Sequence, residues 1–177
     1  MKNIFLLCCI YLLFGLSACK DAPDDNNNNN DEEDQVKASL NNGGFNNQFV
    51  VFSDIDPDAL EAGYIDSLQI TRLSVIGLWN AQNALFQFEM EGNSPSSTVN
   101  YEETLPPNAQ CPTENPCFVL QLGMSQMVIT QDITVHITEY GAVGGRIKGT
   151  FEGKMIDIQS GETVDISNGQ FNLKRTE

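Results

Sequence analysis

The residues of this chain that could do chemistry are few and lie far apart in the sequence. His136 is the only histidine. A histidine-dependent catalytic triad therefore has a single candidate base, and a zinc site built from several histidines is excluded. Its neighbours Thr134 and Thr138 are typical of the polar face of a strand, where a histidine is usually a surface residue. We therefore assign no catalytic residue from the sequence.

Three aspartates, Asp54, Asp56 and Asp58, stand at alternate positions, which resembles the first half of a calcium-binding loop. The second half does not follow, because Ala59 replaces the glycine of the sharp turn and Ile65 replaces the bidentate glutamate. We expect an acidic surface loop and no cofactor, with a calcium site of another type as the alternative.

Two carboxylate pairs, Glu89 with Glu91 and Glu102 with Glu103, suit the two-carboxylate mechanism of glycoside hydrolysis. A chain with 24 Asp and Glu residues also produces such pairs by chance. We therefore expect a non-enzymatic protein. The alternative is a small carboxylate-dependent hydrolase that acts on an extracellular polymer.

Aromatic residues near predicted strand ends are the candidates for ligand binding. Trp79, the single tryptophan, precedes Asn80 at a predicted hairpin tip, and Tyr64 and Tyr101 also fall near strand ends. Exposed rings of this kind can stack on sugars, which makes a glycan a candidate ligand. The alternative role for Trp79 is to close one end of the core.

The composition excludes one class of partner. The chain has 177 residues, 41% of them hydrophobic, which is enough for one globular domain. Its net charge is −15, so a phosphate backbone would be repelled. We expect no nucleic acid partner.

The N-terminus has the organisation of an export signal. Lys2 precedes an apolar run from Ile4 to Ala18, which is shorter than the roughly 20 residues of a membrane-spanning helix. The sequence Leu-Ser-Ala-Cys at 16–19 resembles a bacterial lipobox. This resemblance implies cleavage before Cys19, acylation of its thiol and amino group, and a membrane anchor through the N-terminal lipid.

A polar tether follows the anchor. Residues 20–35 hold one cation, seven carboxylates and five consecutive asparagines, and such a segment cannot bury enough surface to fold. We therefore divide the chain into a signal peptide (1–18), the lipidated cysteine with a disordered tether (19–35) and a folded domain (36–177).

The order Cys19-Lys20-Asp21, the acidic asparagine-rich tether and a small β-rich domain together resemble the surface lipoproteins of the Bacteroidota. In those proteins a lysine followed by acidic residues acts as a signal for display on the outer face. The resemblance implies an outer-membrane lipoprotein that faces the cell exterior, although Ala22-Pro23 interrupts the acidic pair.

A second resemblance covers residues 133–175, about a quarter of the chain. The segments Ile-Thr-Glu-Tyr-Gly (137–141), Ile-Lys-Gly-Thr-Phe-Glu-Gly (147–153) and Ile-Ser-Asn-Gly-Gln-Phe (166–171) are similar to the closing part of a family of Bacteroidota lipoprotein domains of uncharacterised function. This match names no chemistry. From the sequence as a whole we expect a binding or accessory role, with a glycan or an envelope protein as partner.

Cys111 and Cys117 survive removal of the signal and flank Pro-Thr-Glu-Asn-Pro in a proline-rich loop. Export places them in an oxidising compartment, so we expect a disulfide between them. A metal site at this pair lacks a nearby histidine.

The domain reads as antiparallel β-structure throughout. Residues 146–155 alternate strictly, with Ile147, Phe151 and Met155 on one face and charged residues on the other. Residues 133–137 alternate in the same way, and Gly141–Gly145 supplies the turn between the two strands. We predict a single β-sandwich of about seven to nine strands, with a closed antiparallel barrel as the alternative.

The apolar alternation changes phase in two places. Around Arg72 a bulge or a strand buried on both faces would explain the change. Around Asn168-Gly169 either a tight hairpin turn or a bulge within one long strand would do so. The sequence leaves both alternatives open.

Overall fold

The structure is a computed structural model that describes residues 32–93, 98–102, 117–123, 126–158 and 160–177. Within these ranges the chain forms ten antiparallel strands and no helix, which confirms the predicted all-β class with at least one strand more than expected. The strands are β1 (Gln35–Asn42), β2 (Phe45–Val51), β3 (Glu61–Ile65), β4 (Ile70–Trp79), β5 (Gln82–Glu91), β6 (Thr98–Glu102), β7 (Phe118–Leu122), β8 (Gln126–Tyr140), β9 (Arg146–Asp157) and β10 (Thr163–Lys174).

The strands form two layers that share a long strand. The first layer has the order β2-β1-β10-β9-β8-β6, and the second has the order β7-β5-β4-β3. They are joined where the start of β8 pairs with β7. Phe86 of β5 lies 6.0 Å from Phe171 of β10, ring centre to ring centre, so the two layers face each other. This is a β-sandwich.

The sandwich does not close into a barrel in the part of the chain that is described. The hydrogen-bonded path ends at two edge strands, β2 and β3. Beyond β2 the chain crosses to the second layer, where Ser53 makes a single bridge with Leu78 of β4. The barrel alternative is therefore wrong.

An aromatic cluster fills the space between the layers. Phe86 stands at its centre, 5.6 Å from Phe118 and 5.1 Å from Phe151 between ring centres. Edge-to-face and tilted pairs at these distances stabilise a core beyond the area that they bury. Phe86, Phe118 and Phe151 are each at most 1% exposed.

Two phenylalanines pack directly on glycines of the neighbouring strand. Phe171 of β10 pairs with Gly149 of β9, and Phe151 of β9 pairs with Gly169 of β10. A Cβ at Gly149 would lie 2.4 Å from the Phe171 ring, and one at Gly169 would lie 2.6 Å from the Phe151 ring. Only glycine leaves room for the rings at these two positions.

The phase change near residue 168 is a bulge and not a hairpin turn. β10 continues through it, and its register with β9 shifts between Ile166 and Gly169. Asn168 takes the left-handed conformation that such bulges use, with φ 53°. The extra residue keeps Ile166 and Phe171 on the same, core-facing side.

The phase change near Arg72 has neither of the two expected causes. β4 pairs with β5 without any register shift from Ile70 to Trp79, so the bulge alternative is wrong, and the strand is fully buried on one face only, so the alternative of burial on both faces is wrong as well. Leu73 and Val75 face the core, whereas Ile76 is on the outer face and 42% exposed.

The ordered domain begins inside the last residues of the expected tether (19–35), slightly before the predicted start at residue 36. β1 starts at Gln35, and Asp34 is already held in place. Its carboxylate accepts the backbone N–H of Lys174 at 2.6 Å and forms a salt bridge with Arg146 at 3.1 Å. Residues 1–31, which include the predicted signal and most of the tether, lie outside the described residues.

The packing of Phe151 tests this architecture. Phe151→Ala should lower the free energy of unfolding by about 3–5 kcal/mol, because it empties the space between both layers and exposes Gly169. Glu152→Ala, on the outer face of the same strand, should change it by less than about 0.5 kcal/mol. Urea denaturation of the full chain measures both, and equal effects would contradict the face assignment.

Candidate functional site

The outer face of the first layer carries a continuous row of polar side chains. Lys37 is paired with Gln170, Gln170 with Thr150, Thr150 with His136, and His136 with Thr98. Side chains directly opposite each other on one face of a sheet are nearest neighbours. We call these five residues, which cross β1, β10, β9, β8 and β6, the polar row.

The polar row carries hydroxyl, amide, imidazole and ammonium groups and no carboxylate. At one end the Thr98 hydroxyl is 3.1 Å from Nδ1 of His136. Thr150, Gln170 and His136 are exposed. On a chain with a net charge of −15, this face offers hydrogen bonds rather than a strong field.

A shallow groove of about 340 Å³ runs beside the polar row. Thr150 and Gln170 line one side of it, and Gly149 and Phe171 lie between its two sides. Because the Phe171 ring is turned into the core, the strands themselves form the floor. The other lining residues are Gln35, Thr138, Lys148 and Asn172.

A bulge in β8 shapes the far side of the groove. The register of β8 with β9 shifts between Ile137 and Glu139, which places the extra residue, Thr138, at the groove. Bulges bend a strand and redirect its side chains, and they often occur next to binding sites. Glu139 then reaches Lys148, with 3.4 Å between Oε2 and Nζ.

Arg146 fixes one end of the groove. Its Nε donates to Oδ1 of Asn172 at 2.7 Å, and its Nη2 donates to the carbonyl of Glu33 at 3.0 Å. Together with the salt bridge to Asp34, these contacts use its guanidinium group on the protein itself. The amide of Asn172 is therefore held in a defined orientation at the groove wall.

The three predicted loop aspartates do not form a metal site. Within the described ranges no group of three or more His, Cys, Asp or Glu side chains is placed to hold a metal ion. Oδ1 of Asp56 instead accepts the backbone N–H of Asp58 at 2.9 Å, which stabilises a turn. Asp54, Asp56 and Asp58 thus form the expected surface loop.

The predicted aromatic residues are not gathered into one exposed site. Trp79 is 8% exposed and Tyr101 is 4% exposed, and both belong to the core. Trp79 stands directly before the β4–β5 turn, where Asn80 and Ala81 have positive φ values as in a tight hairpin. Tyr64 is half-buried on β3. Neither Trp79 nor Tyr101 offers an open ring face to a sugar.

Within the described ranges the exposed aromatic ring is Phe49, which was not among the predicted site residues. Phe49 is 59% exposed and lies on β2, opposite Ser39 of β1. Its place on the outer face depends on Asn47, whose φ of 49° accompanies a register shift in the β1–β2 pair. The Asn46-Asn47 pair was the available sequence signal, because asparagine adopts a positive φ more readily than most other residues.

Glu89 is buried and paired, unlike its predicted partner Glu91. It is 3% exposed, and its Oε1 lies 2.6 Å from Nε of Arg72. Arg72 also reaches Glu61 at 3.3 Å, and the Tyr101 hydroxyl donates to the backbone carbonyl of Glu89 at 2.7 Å. Glu89 is therefore occupied by a structural ion pair.

This network changes the ionisation of two groups. Burial, with a contribution from the Glu89 carboxylate, raises the pKa of Tyr101 above its ordinary value. Burial acts to lower the pKa of Arg72, but its hydrogen bonds and charge interactions with Glu89 and Glu61 together outweigh burial and raise it. Both residues stay in their usual protonation state near neutral pH.

The described residues include only one member of the second carboxylate pair and one of the predicted disulfide cysteines. Glu103, Cys111 and Cys19 lie outside the described residues. Cys117 is buried, and its carbonyl accepts the backbone N–H of Glu89 at 2.9 Å. The Cys111–Cys117 disulfide and the lipid on Cys19 stay predictions.

Comparison of the chain with protein-family models, with functionally characterised proteins and with solved structures finds no match. Across the described ranges no helix has the length and apolar character that crossing a bilayer requires.

The Arg72–Glu89 pair can be tested for a structural role. Glu89→Gln should lower the free energy of unfolding by about 2–3 kcal/mol, because the half-buried Arg72 loses its closest counter-charge. Glu91→Gln, on the same strand but exposed, should stay within about 0.5 kcal/mol of the wild type. If urea denaturation of the full chain shows Glu89→Gln to be equally mild, the ion pair contributes nothing to folding.

Proposed function

We propose that this protein is a lipid-anchored envelope lipoprotein, displayed on the outer face of the outer membrane, whose β-sandwich binds a glycan. The observation that best supports glycan binding is the groove on the first layer. Its polar lining consists of amides, hydroxyls and one ammonium group. Such groups match the alternating donors and acceptors of a sugar.

The electrostatics of the face support a neutral polar ligand. Lys148 is paired with Glu139 and Arg146 with Asp34, so these two cations beside the groove are balanced by acidic partners. The chain as a whole is strongly acidic, which disfavours anionic partners beyond contact distance. Recognition would therefore depend on hydrogen bonds at the groove.

An envelope protein is the alternative partner, and a hydrolase is the alternative activity. Nothing in the described residues favours the hydrolase, because Glu89 is held by Arg72 and lies away from the groove lining. The groove is open and polar, which suits a glycan better than the apolar centre of a protein interface.

The groove assignment is tested with an immobilised panel of neutral and acidic oligosaccharides and the full-length lipoprotein in detergent. Gln170→Ala should weaken binding about 5-fold, because it removes one hydrogen-bonding amide from the groove wall. Asn83→Ala removes an exposed amide from the second layer and should leave binding unchanged. Equal binding by the two variants would show that the glycan binds elsewhere.

The anchor is tested separately. Cys19→Ala should yield a precursor that is neither cleaved nor acylated, because no other thiol stands at the lipobox position. In detergent phase separation the wild type should enter the detergent phase, and mass measurement should show acyl chains on its N-terminal residue alone. An unchanged N-terminal mass in Cys19→Ala would refute the lipid attachment.

A further inference from the structure

Phe49 departs from the pattern set by the other phenylalanines of the described chain. Seven of the eight in these ranges are buried, each at most 3% exposed: Phe45, Phe52, Phe86, Phe88, Phe118, Phe151 and Phe171. Phe49 is 59% exposed. The core thus takes up every other described phenylalanine and leaves this ring on the surface.

The position of Phe49 makes its exposure costly. It lies on β2, an edge strand of the sheet. An exposed apolar side chain on an edge strand favours aggregation, and proteins usually place charges or proline there instead. Single exposed apolar residues are common elsewhere on protein surfaces and need no explanation there. An exposed phenylalanine on an edge strand is unusual, and a binding role would explain it.

On the edge strand β2, Val51 lies opposite the first residue of the polar row, and Phe49 lies diagonally beside that residue on the same outer face. Lys37, the first residue of the row, pairs with Val51, and the next outward residue of β1, Ser39, pairs with Phe49. Phe49 is therefore a diagonal neighbour of Lys37 on the same face. An aromatic ring stands at one end, and hydrogen-bonding groups follow it strand by strand.

The row and the ring together have the dimensions of a polymer site. From β2 to β6 they cross six strands, and five spacings between strands add up to about 24 Å. The groove opens beside the middle of this line, at Gln170 and Thr150. A single small sugar would use only a fraction of these groups.

We propose that the ligand is a neutral, linear polysaccharide that lies across the strands, along the polar row, and stacks one sugar on Phe49. The C–H groups on the face of a sugar ring carry slight positive charge and pack against the negative face of the aromatic ring. This inference rests on the proposed glycan-binding function and assigns the binding direction and the stacking residue.

The experiment measures binding of the full-length lipoprotein in detergent to cello-, xylo- and malto-oligosaccharides of increasing length. Affinity for the series that fits should rise with length until the chain covers about 24 Å and then level off. Polygalacturonate serves as the anionic comparison and should bind more weakly than the neutral chain.

Variants of Phe49 separate stacking from general hydrophobic contact. Phe49→Ala and Phe49→Leu should both weaken binding of the long chains about 3- to 10-fold, whereas Phe49→Trp should retain it. Ile76→Ala, which removes an exposed apolar side chain from the second layer, should have no effect. Thermal unfolding should be nearly unchanged in all four, because the side chains are exposed.

Three results are distinguishable. Length-dependent binding that Phe49→Leu weakens supports the inference. Binding that does not depend on length, or that Phe49→Leu leaves intact, overturns the inference and leaves glycan binding at the groove standing. Absence of binding to every oligosaccharide, with capture of an envelope protein instead, overturns the proposed glycan function and the inference with it.

Discussion

The reciprocal packing of two phenylalanines on two glycines holds this fold together. Phe171 covers Gly149, and Phe151 covers Gly169, between the same pair of strands. Both rings then reach across to Phe86 of the second layer, with 6.0 Å and 5.1 Å between ring centres. The β9–β10 pairing and the contact between the layers therefore depend on the same few atoms.

This packing also fixes the outer face. A slip of one residue between β9 and β10 would place each ring opposite a side chain instead of a glycine, so the register is strongly specified. Once Gly149 is opposite Phe171, Thr150 is opposite Gln170 on the outside. The bulge at Asn168 is needed for this alignment, because it returns the second half of β10 to the core-facing phase.

Much of the fold was predictable because alternation is local. The hydrophobic pattern of 133–137 and 146–155 identified β8 and β9 and the turn between them. Arg72 shows the limit of such patterns. An apolar outer residue such as Ile76 and a bulge produce the same change of phase, and only the pairing with β5 distinguishes them.

The candidate site was less predictable, since it is a property of register and not of any one segment. The residues of the polar row are spread from position 37 to position 170, and their order follows from four strand pairings. The aromatic candidates failed for a related reason. A place near a turn predicts a strand end but does not say whether a ring such as Trp79 faces the core.

The distribution of charge constrains what this face can select. The groove-side cations Arg146 and Lys148 each have an acidic partner, and one of these, Asp34, directly precedes β1. Long-range attraction is thereby small, and interactions between exposed charges are screened beyond about 8 Å at physiological salt. Discrimination is left to short-range hydrogen bonds and to contact with Phe49, both of which depend on ligand shape. For the proposed polysaccharide ligand, this leaves the spacing of its hydroxyl groups as the property by which such a face would distinguish one uncharged chain from another.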